Sequence, residues 1–363
     1  MNLYRAGVAG MTTAVVIALT ACSPAQSEPS ENVADPPATA TPSAPAKPVR
    51  KPYTISFGGD VHFEGVLRRR LDADPRTALG PIGSVLRKAD LAMVNLETAI
   101  TTGGTKAPGK EFTFRAPSTA FTALKAAGVD VVSMANNHGM DYMDSGLADS
   151  LAAIRKTRFP VVGIGKDAAQ AYRPWRKTVN GNRVAIIGAT QVLDDHLIPA
   201  WTATDDKGGL ASAKNEQRLI QAVRAARKTA DTVIVHLHWG TEMAGCPNPA
   251  QRSLAPKLVK AGADVIVGGH AHILLGGGYL DSAYVNYGLG NFVFYSGGGI
   301  TAKTGVLTLT INGRKVMKDT WTPAQIQGGI PIPATGTART QAISSWKALR
   351  GCTGLARVPN AAE

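Results

Sequence analysis

Three stretches of the chain share one grammar: "LRKADLAMVNLET" (86–98), "LKAAGVDVVSMANNH" (124–138) and "LVKAGADVIVGGHAH" (258–272). Each reads as the end of a helix, an apolar strand and then a polar cluster. Strands this continuously apolar belong in sheets covered on both faces, with helices as the crossovers. The pattern therefore selects an α/β fold. In open α/β sheets the ligand sites lie beyond the C-terminal ends of the strands. The polar clusters sit at those ends, so function is expected along one rim.

The rest of the chain keeps the alternation. "YTISFGGD" is a buried strand ending in Gly58, Gly59 and Asp60, "GPIGSVLRKAD" and "AFTALKAAG" read as helices, and "GLADSLAAIRKT" carries Leu147, Leu151 and Ile154 on one helical face. "NRVAIIGAT" and "DTVIVHLHWG" read as strands around the amphipathic "KNEQRLIQAVRAARKTA", and Gly262 stops the helix "SLAPKLVKAG". From "AYVNYGLGNFVFY" through "TGVLTLTINGRKVMKDTWTP" the chain reads as strand and turn, with Asn312-Gly313 closing a hairpin. A hydrophobic fraction of 44% against 18% charged residues is enough for a sizeable core. Gly58, Gly59, Gly268 and Gly269 let the backbone turn beside the polar clusters. They form no dinucleotide fingerprint, since no GxGxxG opens a helix after a strand.

The ends of the chain are different. "MNLYRAGVAGMTTAVVIALTAC" has a basic start, an apolar run too short to span a bilayer comfortably, and a small residue before Cys22, the layout of an export signal. "LTAC" resembles the bacterial lipobox, which implies a diacylated Cys22 and a protein held on the outer face of the cytoplasmic membrane. The alternative is an ordinary signal and a secreted product. Residues 23–50 are rich in Pro, Ala and Ser and are expected to be a disordered tether, reaching roughly 80–90 Å at about 3.1 Å per residue. The expected organisation is a lipoprotein signal at 1–22, the tether at 23–50, a folded domain at 51–330 and a C-terminal extension at 331–363. Outside the cytoplasm Cys246 and Cys352 are expected to pair, the alternative being two free thiols. The bond would tie the extension down by closing a loop worth roughly 4–5 kcal/mol in the chain-entropy model.

A net charge of +13 suits an anionic partner, either an envelope polymer or lipid headgroups, with a generally basic surface as the plainer reading. Basic residues are scattered and aromatics make up only 6%, which argues against nucleic acid.

Six of the seven histidines fall in the strand-end clusters: His62, His138, His236, His238, His270 and His272, with His196 apart. Residues two apart on a strand share a face, so Asp60 with His62, His236 with His238, and His270 with His272 are each expected to point one way. One histidine at a strand end is ordinary. Six with Asp, Glu and Asn oxygens, and no cysteine among them, form a ligand set for Mn, Zn or Fe.

The motifs "GDV", "NLET", "ANNHGMDY", "HWGTE", "GGHAH" and "LGNFVF" occur in that order and resemble those of the CapA family, named for poly-γ-glutamate capsule synthesis and export, within the calcineurin-like metallophosphatase superfamily. The resemblance covers roughly residues 53–325. It implies a four-layer α/β/β/α metallophosphatase-like sandwich and two divalent metal ions. Asp60, His62 and His272 would hold one ion, Asn137, His238 and His270 the other, and Glu97 would bridge them. His138 would be the general acid. Asp141 either orients it or simply starts a helix. Asn95, Asn136, Glu242 and Asn291 support the ligands or touch substrate, with a structural turn favoured for Asn291. His236 is a supporting or structural extra, and Trp239 and Tyr142 either line the cleft or pack in the core. Two departures stand out: the superfamily's bridge is usually an Asp in a Gly-Asp motif, and many CapA-family members carry an apolar residue where this chain has His62.

Two functions follow. The first is an envelope-anchored metallohydrolase cutting a phosphoester or amide bond in an anionic envelope molecule. The second is a non-catalytic accessory role in building, exporting or anchoring poly-γ-glutamate, alongside capsule synthase components. An acid such as His138 beside an open dinuclear centre favours the first.

Overall fold

The computed structural model describes residues 20, 21, 24, 25 and 49–360, apart from 296 and 297. Its frame is a pair of mixed sheets. The first has eight strands, ordered Ile330–Pro333, Lys315–Gln327, Lys303–Asn312, Tyr53–Val61, Leu91–Leu96, Val131–Ser133 and Val161–Val162, with Asn291–Val293 parallel to the end of Tyr53–Val61. The second has six, ordered Gly277–Leu280, Ala283–Asn286, Val265–His270, Thr232–Trp239, Asn182–Thr190 and Trp175–Val179. The central strands run parallel, as their doubly buried sequences require.

Side-chain alternation sorts the apolar residues into three layers. Leu91 and Met93 face the space between the sheets with Ile55, Phe57, Ile186, Ile234 and Val267. Ala92, Val94 and Leu96, on the other face, meet the helices Thr119–Ala126 and Met143–Thr157. Val233, Val235 and Leu237 of the second sheet pack outward on Glu216–Arg227 and Pro249–Ala261. The result is the α/β/β/α sandwich. Each large side chain fully buried here contributes roughly 1.5–3 kcal/mol.

The helix Pro249–Ala261 shows how local sequence sets these bounds. The Asn248 side chain accepts from the Gln251 amide while the Gln251 side chain accepts from that of Asn248, Pro249 opens the first turn, and Gly262 at φ 113° ends it.

Several expectations change. "GPIGSVLRKAD" is not one helix but a 3-10 turn, Gly80–Ile82, followed by one α-turn, Gly83–Leu86, since two glycines and Pro81 favour no longer helix. No boundary falls at residue 330. The strand Ile330–Pro333 crosses it, and an unanticipated helix, Gly336–Ala348, stacks Trp346 on Trp321 at 5.0 Å and 4°. Residues Pro48–Glu363 form one compact unit. Cys246 and Cys352, 106 positions apart in sequence, are bonded, with their Cα atoms 5.8 Å apart.

Most of the expected signal, Cys22 and most of the tether lie outside the described residues. Arg50, the last residue of the expected tether, already donates to Asp231. Among the described residues no helix is long and apolar enough to cross a membrane.

Candidate metal centre

A bulge aims the first carboxylate. Phe57 pairs with Met93 and Asp60 with Asn95, three steps on one strand against two on the other, so Gly58-Gly59 holds the extra residue. The parity resets, and Asp60 faces the gap between the sheets as Phe57 does. A Cβ on Gly59 would overlap the Gly290 carbonyl oxygen, which is why the bulge uses glycine there. From the second sheet, His236 and His238 share the inward parity of Ile234.

His270 and His272 converge for a different reason than alternation. The strand ends at His270, and both residues adopt left-handed backbone, φ 92° and 57°. A turn, not the pleat, brings their rings within 5.9 Å. Non-glycine residues held at positive φ mark strain kept for a purpose.

The groups so gathered form two clusters, Glu97 with His270 and His272, and Asp60 with Glu97 and His238, each with its candidate ligand atoms within 4.8 Å of one another. Glu97 is common to both. Around them the amides are bonded in series. Asn95 Nδ2 donates to Asp60 Oδ1 (2.8 Å) and lies 3.1 Å from His238 Nδ1, while Asn136 Nδ2 donates to Asn95 Oδ1 (3.0 Å). His238 Nε2 lies 2.8 Å from Asn137 Oδ1, and the His270 amide donates to Asp60 Oδ2 at 3.0 Å. Asn291 Oδ1 sits 2.8 Å from His272 Nδ1, so Asn291 fixes that ring and is more than a turn residue. Glu242, an exposed group, approaches His272 Nε2 at 4.0 Å.

His138 stands beside the clusters. Its Nδ1 is 2.5 Å from Asp141 Oδ2, and its Nε2 faces Glu97 Oε1 at 3.9 Å. Asp141 is no helix cap. It is buried, accepts from the Phe114 amide at 2.6 Å, and pairs with Lys110 Nζ at 2.6 Å. Lys110 also donates to the Asn137 carbonyl and lies over the Trp201 ring. Phe114 is sandwiched between two imidazoles, 4.0 Å from His138 and 4.6 Å from His62.

His62 joins neither cluster. The Glu64 amide donates to its Nδ1 at 3.0 Å and the Tyr295 amide points at its Nε2 from 3.1 Å. A neutral imidazole accepts at one nitrogen only, so these contacts compete. His236 is buried with Nδ1 unpartnered and also stays outside both clusters. Trp239 and Tyr142 are core residues; Trp239 Nε1 donates to the Tyr287 carbonyl. His196 remains apart, on the Pro108 carbonyl.

Burial dominates the electrostatics. It holds Glu97 well above the ordinary carboxylate range, reinforced by Asp60, and raises Asp60 against the opposing pull of His272. It pushes His270 down to about 3 and His236 to about 4, and His238 and His62 well below the usual imidazole value. His138 is lowered by burial despite Asp141.

The donor set fits divalent ions. Both Glu97 oxygens and His270 Nδ1 are buried without a hydrogen-bond partner. Leaving a carboxylate so placed is costly unless a cation meets it. Oxygen and imidazole donors without thiolate suit Mn, Zn or Fe.

Lys110, Phe114 and Tyr295 were not anticipated, nor was Phe294, whose ring meets His62 edge-on at 4.2 Å. Lys110 and Phe114 lie on the long irregular stretch between Ile100 and Arg115, a length that itself signals function, but no spacing marks which of its residues matter.

Comparison with known proteins identifies a family. The family model described as bacterial capsule synthesis protein PGA_cap matches residues 54–296. The capsule biosynthesis protein CapA of Bacillus anthracis is 35% identical over 218 residues, 59% of this chain and 52% of that protein. The PGA biosynthesis protein CapA of Bacillus subtilis is 31% identical over 251 residues, 69% of this chain and 65% of that one. The chain thus spans about half to two thirds of the length of these relatives. Among solved structures, a phosphatase from Mycoplasma pneumoniae is 16% identical with a TM-score of 0.45, over 81% of this chain and 98% of the other. The rim residues of six segments and the match over 54–296 lead to one assignment: this chain belongs to the PGA_cap family of bacterial capsule synthesis proteins.

Proposed function

We propose that the chain is a metal-dependent hydrolase that cuts a phosphoester or amide bond in an anionic envelope polymer, within poly-γ-glutamate capsule metabolism. The observation that carries the reading is Glu97, a buried carboxylate with both oxygens unpaired, common to the two imidazole clusters, with His138 held beside it. Asp60, Glu97, Asn137, His238, His270 and His272 would hold two divalent ions. His62 would reach an ion only by releasing the Tyr295 amide. Bound ions of this kind supply Lewis acidity and positive charge for an anionic substrate. The chain's own part is geometric. Asp141 fixes the His138 tautomer with the proton on Nδ1, leaving Nε2 toward the cleft to exchange a proton with a leaving group. Lys110 compensates the Asp141 charge, and Phe114 packs against the imidazole and limits its rotation. Asn291 accepts from His272 Nδ1 and leaves the Nε2 lone pair of that ring for a ligand role, while Asn95 holds the His238 ring in place.

In this reading the protein works on the outer face of the cytoplasmic membrane, held by lipid on Cys22, next to capsule synthase components. The names of the relatives support the capsule context. A second reading, an accessory role that binds polymer without cutting it, draws on a Mycobacterium tuberculosis relative named as a probable polyglutamine synthesis accessory protein, 29% identical over 239 residues.

Metal analysis of the purified protein, with assays on phosphodiesters and on poly-γ-glutamate, tests the choice. The expected result is two bound ions and turnover, with His138→Ala keeping the ions and losing activity at least 100-fold. Bound ions and polymer binding with no turnover would favour the accessory role, and loss of metal in His138→Ala would contradict the role of that residue.

A further inference from the structure

The outermost strand of each sheet on one side, Val161–Val162 in the first and Trp175–Val179 in the second, borders a cleft of about 360 Å³. Four arginines line it: Arg155 and Arg158 from the end of the helix Met143–Thr157, Arg173 from just before the edge strand and Arg176 from within it. Its lining also includes the buried Leu151 and Phe159 and the half-buried Trp175. No carboxylate lines it, and none of its residues belongs to the metal centre. Elsewhere Arg183, Arg218, Arg227 and Arg314 are paired with aspartates. Among the described residues the four guanidiniums of the cleft have no such partner.

Local roles do not account for this grouping. A cation on an edge strand blocks unwanted strand pairing, and one at a helix C-terminus complements the dipole. Neither role requires charges from two separate elements to line one cleft together with apolar side chains. We propose that the cleft binds an extended, carboxylate-bearing polymer. The proposal rests on the reading that this protein handles an anionic envelope polymer, and it adds a holding site apart from the metal centre. Guanidinium forks match carboxylates in pairs, and cations brought to one cleft from two elements suit a chain bearing repeated anions. Methylene groups between those anions would pack on Leu151, Phe159 and Trp175. A membrane surface is planar and meets a flat basic face, whereas this site is concave.

The test is calorimetric titration of the whole protein with poly-γ-glutamate in the presence of a chelator. Saturable binding is expected, weakened by salt, and weakened at least tenfold in each of the double variants Arg155→Gln/Arg158→Gln and Arg173→Gln/Arg176→Gln. These side chains are exposed, so the variants should fold as the parent does. Trp175→Phe should remove the fluorescence change that accompanies binding. Unchanged affinity in both double variants would overturn the proposal. So would binding that disappears with the metal, which would put the polymer in the metal cleft, or arginine-dependent binding to phosphatidylglycerol vesicles in preference to the polymer. Failure of the hydrolase reading would look different: turnover absent with this binding intact.

Discussion

At the scale of single residues, Glu97 is the informative one. A buried carboxylate raised above its ordinary pKa burdens the metal-free fold increasingly as pH rises above the unfolded value of 4.5. Glu97→Gln removes that burden at nearly constant size. At pH 8 in chelator the variant is therefore expected to melt at or above the parent's temperature, yet to lose most of the rise in melting temperature that manganese gives the parent, with affinity reduced at least tenfold. A thermal melt with and without manganese reads both, and a manganese-induced rise equal to the parent's would remove Glu97 from the centre. The histidines of this site were legible because their grouping at strand ends is improbable by scatter. Lys110 was not. It is one of two lysines in a loop with no periodicity, and only the path of that loop across the cleft places it against Asp141 and the Asn137 carbonyl.

At the scale of elements, alternation was the tool that worked for strand interiors and failed at their ends. Ala92, Val94 and Leu96 against Leu91 and Met93 follow it, as do His236 and His238. Asp60 departs because of the Gly58-Gly59 bulge, and His270 and His272 because the strand stops and turns. Both departures depend on pairing partners distant in sequence, which one strand's own residues do not reveal. The glycines separate two effects that can be measured. A Cβ on Gly59 meets backbone, the Gly290 carbonyl, and Gly59→Ala is expected to cost about 1–3 kcal/mol or more in urea unfolding. A Cβ on Gly269 meets the end of the Asp60 side chain rather than backbone, so Gly269→Ala should cost less stability while weakening metal binding. Equal losses of stability in the two variants, with metal affinity intact in the second, would refute this account of how Asp60 is aimed.

At the scale of the whole molecule, the two sheets meet along a seam that holds neutral imidazoles out of water, and this sets how the metal-free protein responds to acid. The layered fold was readable from the repeated helix–strand grammar; the histidine buried beneath the ligand layer was visible in sequence only as an extra. His236 is that residue, fully buried and lowered from 6.5 to about 4 by burial alone. A depressed pKa means the unfolded chain takes up a proton first. The contribution to stability is thus complete above pH 6.5 and is lost as pH falls through 6.5 toward 4. Linkage puts that loss at about 3 kcal/mol between pH 7 and pH 4. His270 adds a loss of the same sign reaching to about 3, while the raised carboxylates of Asp60 and Glu97 act in the opposite direction. Because His236 lies outside both ligand clusters, His236→Gln isolates its share. Urea midpoints measured in chelator at the two pH values should show the variant losing about 3 kcal/mol less on acidification than the parent. Equal losses in the two proteins would mean that His236 is already charged, or already wet, in the folded chain, and that the seam is not the dry layer its packing describes.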